Sequence, residues 1–91
     1  ESKVDVWNRV EPVVQELDAT AGPTLVVSHG GPCSFLISQL IGAPITTCGA
    51  FRFANSSITE LVRRDNGDWQ FERLNDQRHL EEALEGFGTL A

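Results

Sequence analysis

The chain has 91 residues, of which 41% are hydrophobic and 22% charged, a composition that fits one small globular domain at most. Its formal net charge of −6 argues against a nucleic acid or an anionic membrane surface as partner, because both require a basic face. No apolar run approaches the ~20 residues that a membrane-spanning helix needs.

The first predicted element is a helix over residues 2–17. Its apolar residues recur at helical spacing and form one face, made of Val6, Val10, Val13, Val14 and Leu17. Ser2 can act as the N-cap, and Asp5 three residues later completes a variant of the capping box. Pro12 has no amide hydrogen, which predicts that the helix is kinked there or divided in two.

A loop over residues 21–23 leads to a short strand predicted over residues 24–28. Its Thr-Leu-Val-Val run is apolar on both faces, which is typical of a central strand in a parallel sheet that is covered by helices. The next helix is predicted over residues 32–41, with Pro32 at its first position and Gly42 capping its end.

Several elements are predicted after this helix: an irregular segment over 43–50, a short extended piece over 51–54, two strands over 58–64 and 69–74, and a helix over 79–84. The two strands flank Asn66-Gly67, a pair that tolerates the positive φ angles of a tight turn, so they are expected to form a hairpin. The chain is expected to fray after Gly86 and Gly88.

The motif Ser28-His29-Gly30-Gly31-Pro32 joins the predicted strand to the predicted helix. It puts the His29 imidazole at a helix N-terminus, where unpaired amides and the helix dipole attract anions. The two glycines let the backbone turn tightly and come close to a ligand. On these residues alone, an anion site and a glycine turn with a surface histidine both remain open.

The two cysteines, Cys33 and Cys48, are expected to be reduced thiols in a cytoplasmic protein. Cys33 is expected to be buried by packing, with a redox or nucleophilic role as the alternative. Cys33 lies in the first turn of the second helix, but no arginine follows it as in protein tyrosine phosphatases. The cysteines and the two histidines do not fall at zinc-ligand spacing, so neither a metal nor another cofactor is expected.

Four short motifs follow one another along the chain: Glu1-Ser2 with Arg9-Val10, Ser28-His29-Gly30-Gly31, Asn55-Ser56-Ser57-Ile58-Thr59, and Asn75-Asp76 with His79-Leu80. This series resembles the histidine phosphatase superfamily, which includes cofactor-dependent phosphoglycerate mutases and many small-molecule phosphatases. The resemblance implies an α/β fold, part of a three-layer α/β/α sandwich with a mostly parallel sheet and a C-terminal antiparallel hairpin. It covers nearly all of residues 1–91, as the C-terminal portion of one such domain. The family's Arg-His-Gly motif, whose histidine becomes phosphorylated, does not occur in this sequence.

The resemblance implies catalytic roles for two residues, Glu1 and His29. Glu1 would be the general acid that protonates the leaving oxygen, and His29 would stabilise the transferring phosphoryl group. His29 and Gly30 would bind the phosphate. On the residues alone, Glu1-Ser2 also fits a helix start, Asn55 and Ser56 favour a turn, and His79 favours structural packing. Arg9 is expected to pair with a carboxylate, and Arg52 is expected to be exposed.

The function implied is metal-independent hydrolysis of small phosphomonoesters through a phosphohistidine, with the nucleophile outside this chain and the chain alone inactive. Two alternatives stay open: phosphoryl transfer of the phosphoglycerate mutase type, and a non-catalytic module that binds phosphate or a partner. The expected partners are a small phosphorylated metabolite and a complementary N-terminal segment of the same protein. Assembly of the protein into a homo-oligomer stays an open alternative.

Overall fold

The computed structural model describes residues 2–80. The chain divides into two compact units, Glu1–Phe53 and Ala54–Ala91. The first unit contains helix α1 (Lys3–Ala19), helix α2 (Gly30–Leu40) and a 3-10 helix (Ile45–Ala50), and the second contains strands β1 (Ile58–Arg63) and β2 (Trp69–Asp76). The chain is therefore α/β with an antiparallel hairpin, as predicted.

The capping box predicted at the start of α1 is confirmed. The Ser2 hydroxyl accepts a hydrogen bond from the Asp5 amide at 3.2 Å, and the Asp5 carboxylate accepts one from the Ser2 amide at 3.0 Å. Interactions with the Ser2 backbone amide and, less strongly, with the Ser2 side chain hold the pKa of Asp5 below its ordinary value. These bonds satisfy two of the amides that every helix leaves unpaired at its start.

Pro12 does not divide α1, so that part of the prediction is wrong. The helix continues through Pro12 without interruption over 17 residues. A proline inside a helix removes the bond to the carbonyl four residues earlier, here that of Asn8. Asn8 and Pro12 are both exposed, so water can hydrate that carbonyl, while the buried Val10 holds the middle of the helix against its neighbours.

The core of the first unit lies where α1, α2 and the 3-10 helix pack together. Val10, Phe35 and Cys48 are its buried members, and Val6, Trp7 and Ile45 pack against them. The rings of Trp7 and Phe35 meet edge to face, with centroids 6.5 Å apart and planes inclined by 68°. Such aromatic pairs add to the stabilisation from burial and fix the orientation of the two helices.

Helix α2 begins at Gly30, two residues before the predicted start, and Pro32 is its third residue. Proline fits there because third-position amides have no partner inside a helix either. Gly42 ends the helix as predicted, with φ +77°. The Gly42 amide donates to the Gln39 carbonyl at 3.1 Å and the Ala43 amide to the Ser38 carbonyl at 2.8 Å, which is the Schellman pattern.

The strand predicted over residues 24–28 is not formed in the described part of the chain. Residues 23–29 belong to no helix or strand, and the side chains of Leu25 and Val27 are 87% and 86% exposed. A strand exists only through hydrogen bonds to a neighbouring strand, and none of residues 2–80 supplies one to this segment. The parallel sheet stays an expectation.

The connection after α2 differs from the prediction. Residues 45–50 form a 3-10 helix, in which the Thr47 amide donates to the Pro44 carbonyl at 2.9 Å, where an irregular segment was expected. The piece expected over 51–54 belongs to no strand, although Phe51 has extended backbone angles.

The hairpin is confirmed, with β1 and β2 antiparallel. Its turn uses one left-handed residue, Gly67 at φ +92°, whereas Asn66 does not adopt a positive φ. The Gly67 amide donates to the Arg64 carbonyl at 2.9 Å and the Arg64 amide to the Asp68 carbonyl at 2.7 Å. The turn is therefore a three-residue loop closed by a left-handed glycine.

Strand β2 has eight residues against six in β1, and two register shifts account for the difference. Asn75 lies beside one of them in the left-handed region, at φ +52°. Its side-chain oxygen accepts a hydrogen bond from the Ala54 amide at 2.8 Å, and its own amide donates to the Thr59 hydroxyl at 3.0 Å. Asn75 thereby ties the segment before β1 to the end of β2.

Within residues 2–80, no helix is long and apolar enough to cross a membrane. The last helix is predicted over residues 79–84, and the structure shows helical backbone at residues 78–80. Its remainder, and the fraying expected after Gly86 and Gly88, lie outside the described residues.

Candidate active site

His29 is the N-cap of α2, at the end of the extended segment over residues 23–29. Its backbone is extended, with φ −128° and ψ 176°, and its side chain is exposed and makes no capping hydrogen bond. The imidazole has no hydrogen-bond partner among residues 2–80, so it is available to a ligand.

The first backbone bond of α2 runs from the Cys33 amide to the His29 carbonyl, at 3.0 Å. The amides of Gly30 and Gly31 precede this bond and have no partner inside the helix, and Pro32 has no amide hydrogen. Two N–H groups without a partner inside the helix therefore follow His29 at the positive end of a helix of 11 residues. This arrangement can bind an anion.

Gly30 and Gly31 have ordinary helical backbone angles, so the expectation that they make a tight turn is wrong. A Cβ atom on Gly30 would lie 3.5 Å from the Phe53 carbonyl oxygen, an ordinary contact, and one on Gly31 would meet nothing within 4 Å. Among residues 2–80, no contact requires a glycine at either position. Without side chains, these two residues leave their amides accessible.

Ser34 supports the first turn of α2, which sequence reasoning missed. Its buried hydroxyl donates to the Gly31 carbonyl at 2.8 Å, and the fully buried Ser38 hydroxyl donates to the Ser34 carbonyl at 2.8 Å. Two serines four residues apart in a largely apolar helix were the available signal, because a buried hydroxyl in a helix bonds to a preceding carbonyl.

Glu1, the predicted general acid, lies outside the described residues. The structure describes the capping box that follows it, so α1 begins two residues after Glu1. Arg9 is exposed and already engaged in an interaction. Arg52 is exposed, as expected, and forms no hydrogen bond or ion pair with the described residues.

The candidate residues of the second unit have structural roles. The Ser57 amide donates to the Ala54 carbonyl at 3.2 Å around a turn that contains Asn55 and Ser56, with Ser56 at φ +59°, so the predicted turn is confirmed. His79 is exposed, and the packing predicted for it is therefore not observed.

Asp76, which belongs to the last motif, is held by two arginines of the second unit. The Arg78 guanidinium lies 2.7 Å from the Asp76 Oδ2 atom, and the Arg73 guanidinium lies 3.9 Å from the same atom. Hydrogen bonds from the Arg78 guanidinium, and then from its backbone amide, hold the pKa of Asp76 well below its ordinary value. The carboxylate is therefore ionised and fixes the end of β2.

Cys33 and Cys48 are free thiols. Cys48 is buried in the core, whereas Cys33, for which burial was predicted, is half-buried. Among residues 2–80, no three His, Cys, Asp or Glu side chains come together in a way that could hold a metal ion.

A sequence model of the histidine phosphatase superfamily (branch 1) matches residues 1–77. A solved structure of a mycobacterial glucosyl-3-phosphoglycerate phosphatase with VO3 is similar at 31% identity and a TM-score of 0.68, covering 85% of this chain and 41% of that one. A structure described as mycobacterial hydrolase 2 is similar at 23% identity and a TM-score of 0.64, covering 100% of this chain and 48% of that one. No match was found among curated proteins. This chain thus spans less than half the length of either solved protein.

Proposed function

Because this chain belongs to the histidine phosphatase superfamily, we propose that it forms part of the active site of a phosphatase acting on small phosphomonoesters. One observation carries the proposal: His29, exposed and with no side-chain hydrogen bond to residues 2–80, is the N-cap residue of α2 and is followed by two amides that have no partner inside the helix. A phosphoryl group needs positive charge and hydrogen-bond donors around its oxygens in the transition state, and this arrangement supplies both.

In this proposal, His29 donates a hydrogen bond to the transferring phosphoryl group and the Gly30 amide binds one of its oxygens. The helix dipole and the imidazole act together, since the dipole places positive charge, and the imidazole a hydrogen-bond donor, where negative charge develops. The nucleophile is a second histidine in an Arg-His-Gly segment of a complete protein that contains this chain. Water then hydrolyses the phosphohistidine, and no metal takes part.

Glu1 is proposed as the general acid that protonates the leaving oxygen. It directly precedes Ser2, the N-cap of α1, in the sequence. A neighbouring phosphate dianion would raise the pKa of its carboxyl group, which is what a general acid near neutral pH requires.

The complementary N-terminal segment is proposed as the partner of residues 24–28. Leu25 and Val27 expose 87% and 86% of their surface, and burying apolar side chains of this size is worth roughly 1.5–3 kcal/mol each. A neighbouring strand would pair the backbone of this segment, and helices on the faces of the resulting parallel sheet would cover these side chains. In the complete protein, we expect the amides of residues 25–27 to be protected from hydrogen exchange; exchange at the rate of unstructured peptide contradicts this.

Phosphatase activity is preferred over mutase activity because the similar protein at 31% identity is named as a phosphatase. The free thiols favour a reducing compartment, and we place the protein in the cytoplasm on that basis. The substrate class proposed is a small phosphorylated metabolite.

The experiment that tests this function is trapping of the phosphoenzyme. The complete protein is mixed with p-nitrophenyl phosphate and quenched in alkali, which preserves phosphohistidine, and the phosphorylated peptide is identified by mass spectrometry. We expect one phosphate on a histidine outside this chain, and none on His29. Phosphate on His29 would make it the nucleophile, and hydrolysis without any phosphohistidine would contradict the mechanism.

A further inference from the structure

Arg52 lies in a long stretch of the chain that contains no carboxylate. The chain has 13 acidic residues, but residues 19–59 include none of them. His29, Arg52 and the two cysteines are the ionisable side chains of this stretch, and Arg52 is the one that stays positively charged at every physiological pH. In a chain with a net charge of −6, this local absence of acidic residues favours an anionic ligand.

The backbone next to Arg52 passes close to the start of α2. A Cβ atom on Gly30 would lie 3.5 Å from the carbonyl oxygen of Phe53, the residue that follows Arg52. Consecutive Cα atoms are ~3.8 Å apart, so the Arg52 Cα lies within about 11 Å of the Gly30 Cα. A long arginine side chain can span much of this distance.

This approach is on the side of the helix and not at its end. Cβ atoms of an α-helix project away from the axis, whereas the first amide hydrogens point along the axis, beyond the N-terminus. An anion held by the Gly30 and Gly31 amides would therefore lie in front of the helix. The segment that carries Arg52 borders this position from one flank, at the rim of the proposed phosphoryl site.

The Arg52 guanidinium is available to a ligand. Its side chain is exposed and forms no hydrogen bond or ion pair with residues 2–80. By contrast, Arg73 and Arg78 each bind a carboxylate of the second unit, at 3.1 Å and 2.7 Å. A guanidinium presents its N–H donors as a planar fork that matches a carboxylate or a phosphate group.

We propose that Arg52 is a specificity-determining residue that binds a second anionic group of the substrate, besides the phosphoryl group at His29. This role rests on the proposed function. The preferred substrates are then small phosphomonoesters that carry a further carboxylate or phosphate. Because Arg52 binds a group that does not react, it stabilises the bound substrate and the transition state equally, so its loss should raise KM more than it lowers kcat.

The test compares kcat/KM of the complete protein for two substrate pairs, in the wild type and in Arg52→Gln. 6-Phosphogluconate adds a carboxylate to the chemistry of glucose 6-phosphate, and fructose 1,6-bisphosphate adds a phosphate to fructose 6-phosphate. We expect the wild type to prefer the second anion in at least one pair. Arg52→Gln should reduce that preference about tenfold through KM, the lower end for a hydrogen bond between charged groups.

The pair that responds shows whether the second group is a carboxylate or a phosphate. Arg52→Lys keeps the charge but not the fork, so it should retain part of the preference. An unchanged preference in Arg52→Gln overturns the proposal. An equal fall for all four substrates also overturns it, because Arg52 would then act on the transferring phosphoryl group.

Arg64→Gln is the matched control, because it removes the same charge from an exposed arginine in the loop between β1 and β2. It should leave the preference unchanged. A loss equal to that of Arg52→Gln would show only long-range attraction by the net charge, which salt screens, and would contradict direct binding by Arg52.

A binding measurement keeps this result separate from the proposed function. If the wild type hydrolyses none of the four substrates, the proposed function fails, and isothermal titration calorimetry with phosphate and tripolyphosphate then decides the role of Arg52. We expect Arg52→Gln to weaken binding of tripolyphosphate, which carries several anionic groups, about tenfold more than binding of phosphate. Equal weakening for both ions, unchanged affinities, or no binding of tripolyphosphate to the wild type contradicts a second anion site at Arg52.

Discussion

The Cys33 amide donates to the His29 carbonyl at 3.0 Å, and this bond fixes where α2 begins. Helical geometry then extends back to Gly30, so the Gly30 and Gly31 amides lie inside the helix but before its first internal donor. Pro32 as the third residue contributes no donor. The anion site proposed for this helix therefore depends on two amides and the His29 imidazole.

Gly30→Ala should separate ligand binding from folding. The added Cβ would lie 3.5 Å from the Phe53 carbonyl oxygen, and alanine has the higher helix propensity, so the free energy of unfolding should stay unchanged or rise. A methyl group beside the amide should hinder a phosphate oxygen and weaken inhibition by inorganic phosphate about tenfold, the equivalent of ~1.4 kcal/mol. Inhibition constants and urea unfolding of the complete protein measure both effects.

Gly49→Ala is the control for this substitution, because a Cβ there meets nothing within 4 Å and Gly49 lies in the 3-10 helix. It should leave phosphate inhibition unchanged. If Gly30→Ala binds phosphate as tightly as the wild type, Gly30 has no place in the phosphate site.

Gly67→Ala should destabilise the hairpin. Gly67 has φ +92°, a conformation that costs a residue with a Cβ about 1–2 kcal/mol. Gly49→Ala again provides the comparison, since Gly49 does not have a positive φ and its substitution should be neutral or slightly stabilising. Urea unfolding measures the difference, and equal stability of the two variants would show that the turn is not closed by a left-handed glycine.

Asp76 should make stability depend on pH in the acid range. Hydrogen bonds from Arg78 lower the pKa of Asp76 in the folded state below its ordinary value of 3.8, so its contribution is fully present above that pH. As the pH falls below this value, the unfolded chain takes up the proton first, and the contribution is progressively lost. The stability difference between wild type and Asp76→Asn should therefore be constant near neutrality and shrink below about pH 4.

Glu72→Gln provides the matched control, since Glu72 is an exposed carboxylate of the same strand. Its stability difference from the wild type should show no comparable loss in this range. A difference for Asp76→Asn that stays constant down to pH 2 would contradict the role assigned to Arg78.

The features that local chemistry decides were predictable from the sequence. Ser2 and Asp5 specify the start of α1 by bonding to each other's backbone, and Gly42 and Gly67 occupy positions where the chain needs a positive φ. Family membership was also predictable, because His29 and its neighbours form a distinctive motif at a helix start.

The features that depend on distant contacts were not predictable. Pro12 is tolerated because Val10 packs against Phe35 and Cys48, which no local pattern reveals. The apolar run over residues 24–28 has the composition of a strand, yet strand formation depends on a partner strand. Asn75 adopts a left-handed conformation because it bonds to Ala54 and Thr59 across the hairpin.

The most direct test of the central claim is kcat of the complete protein carrying His29→Asn. Asparagine is shorter than histidine, so its amide does not reach as far as the imidazole Nε2, and it cannot carry a positive charge. The His29 side chain is exposed and makes no hydrogen bond to the described residues, so the fold should be unaffected. Loss of one preorganised donor to a developing oxyanion costs about 2.7–4 kcal/mol, so kcat should fall by ~10²–10³ with an unchanged unfolding transition. An unchanged kcat would contradict the account and leave His29 as a surface residue that only caps α2.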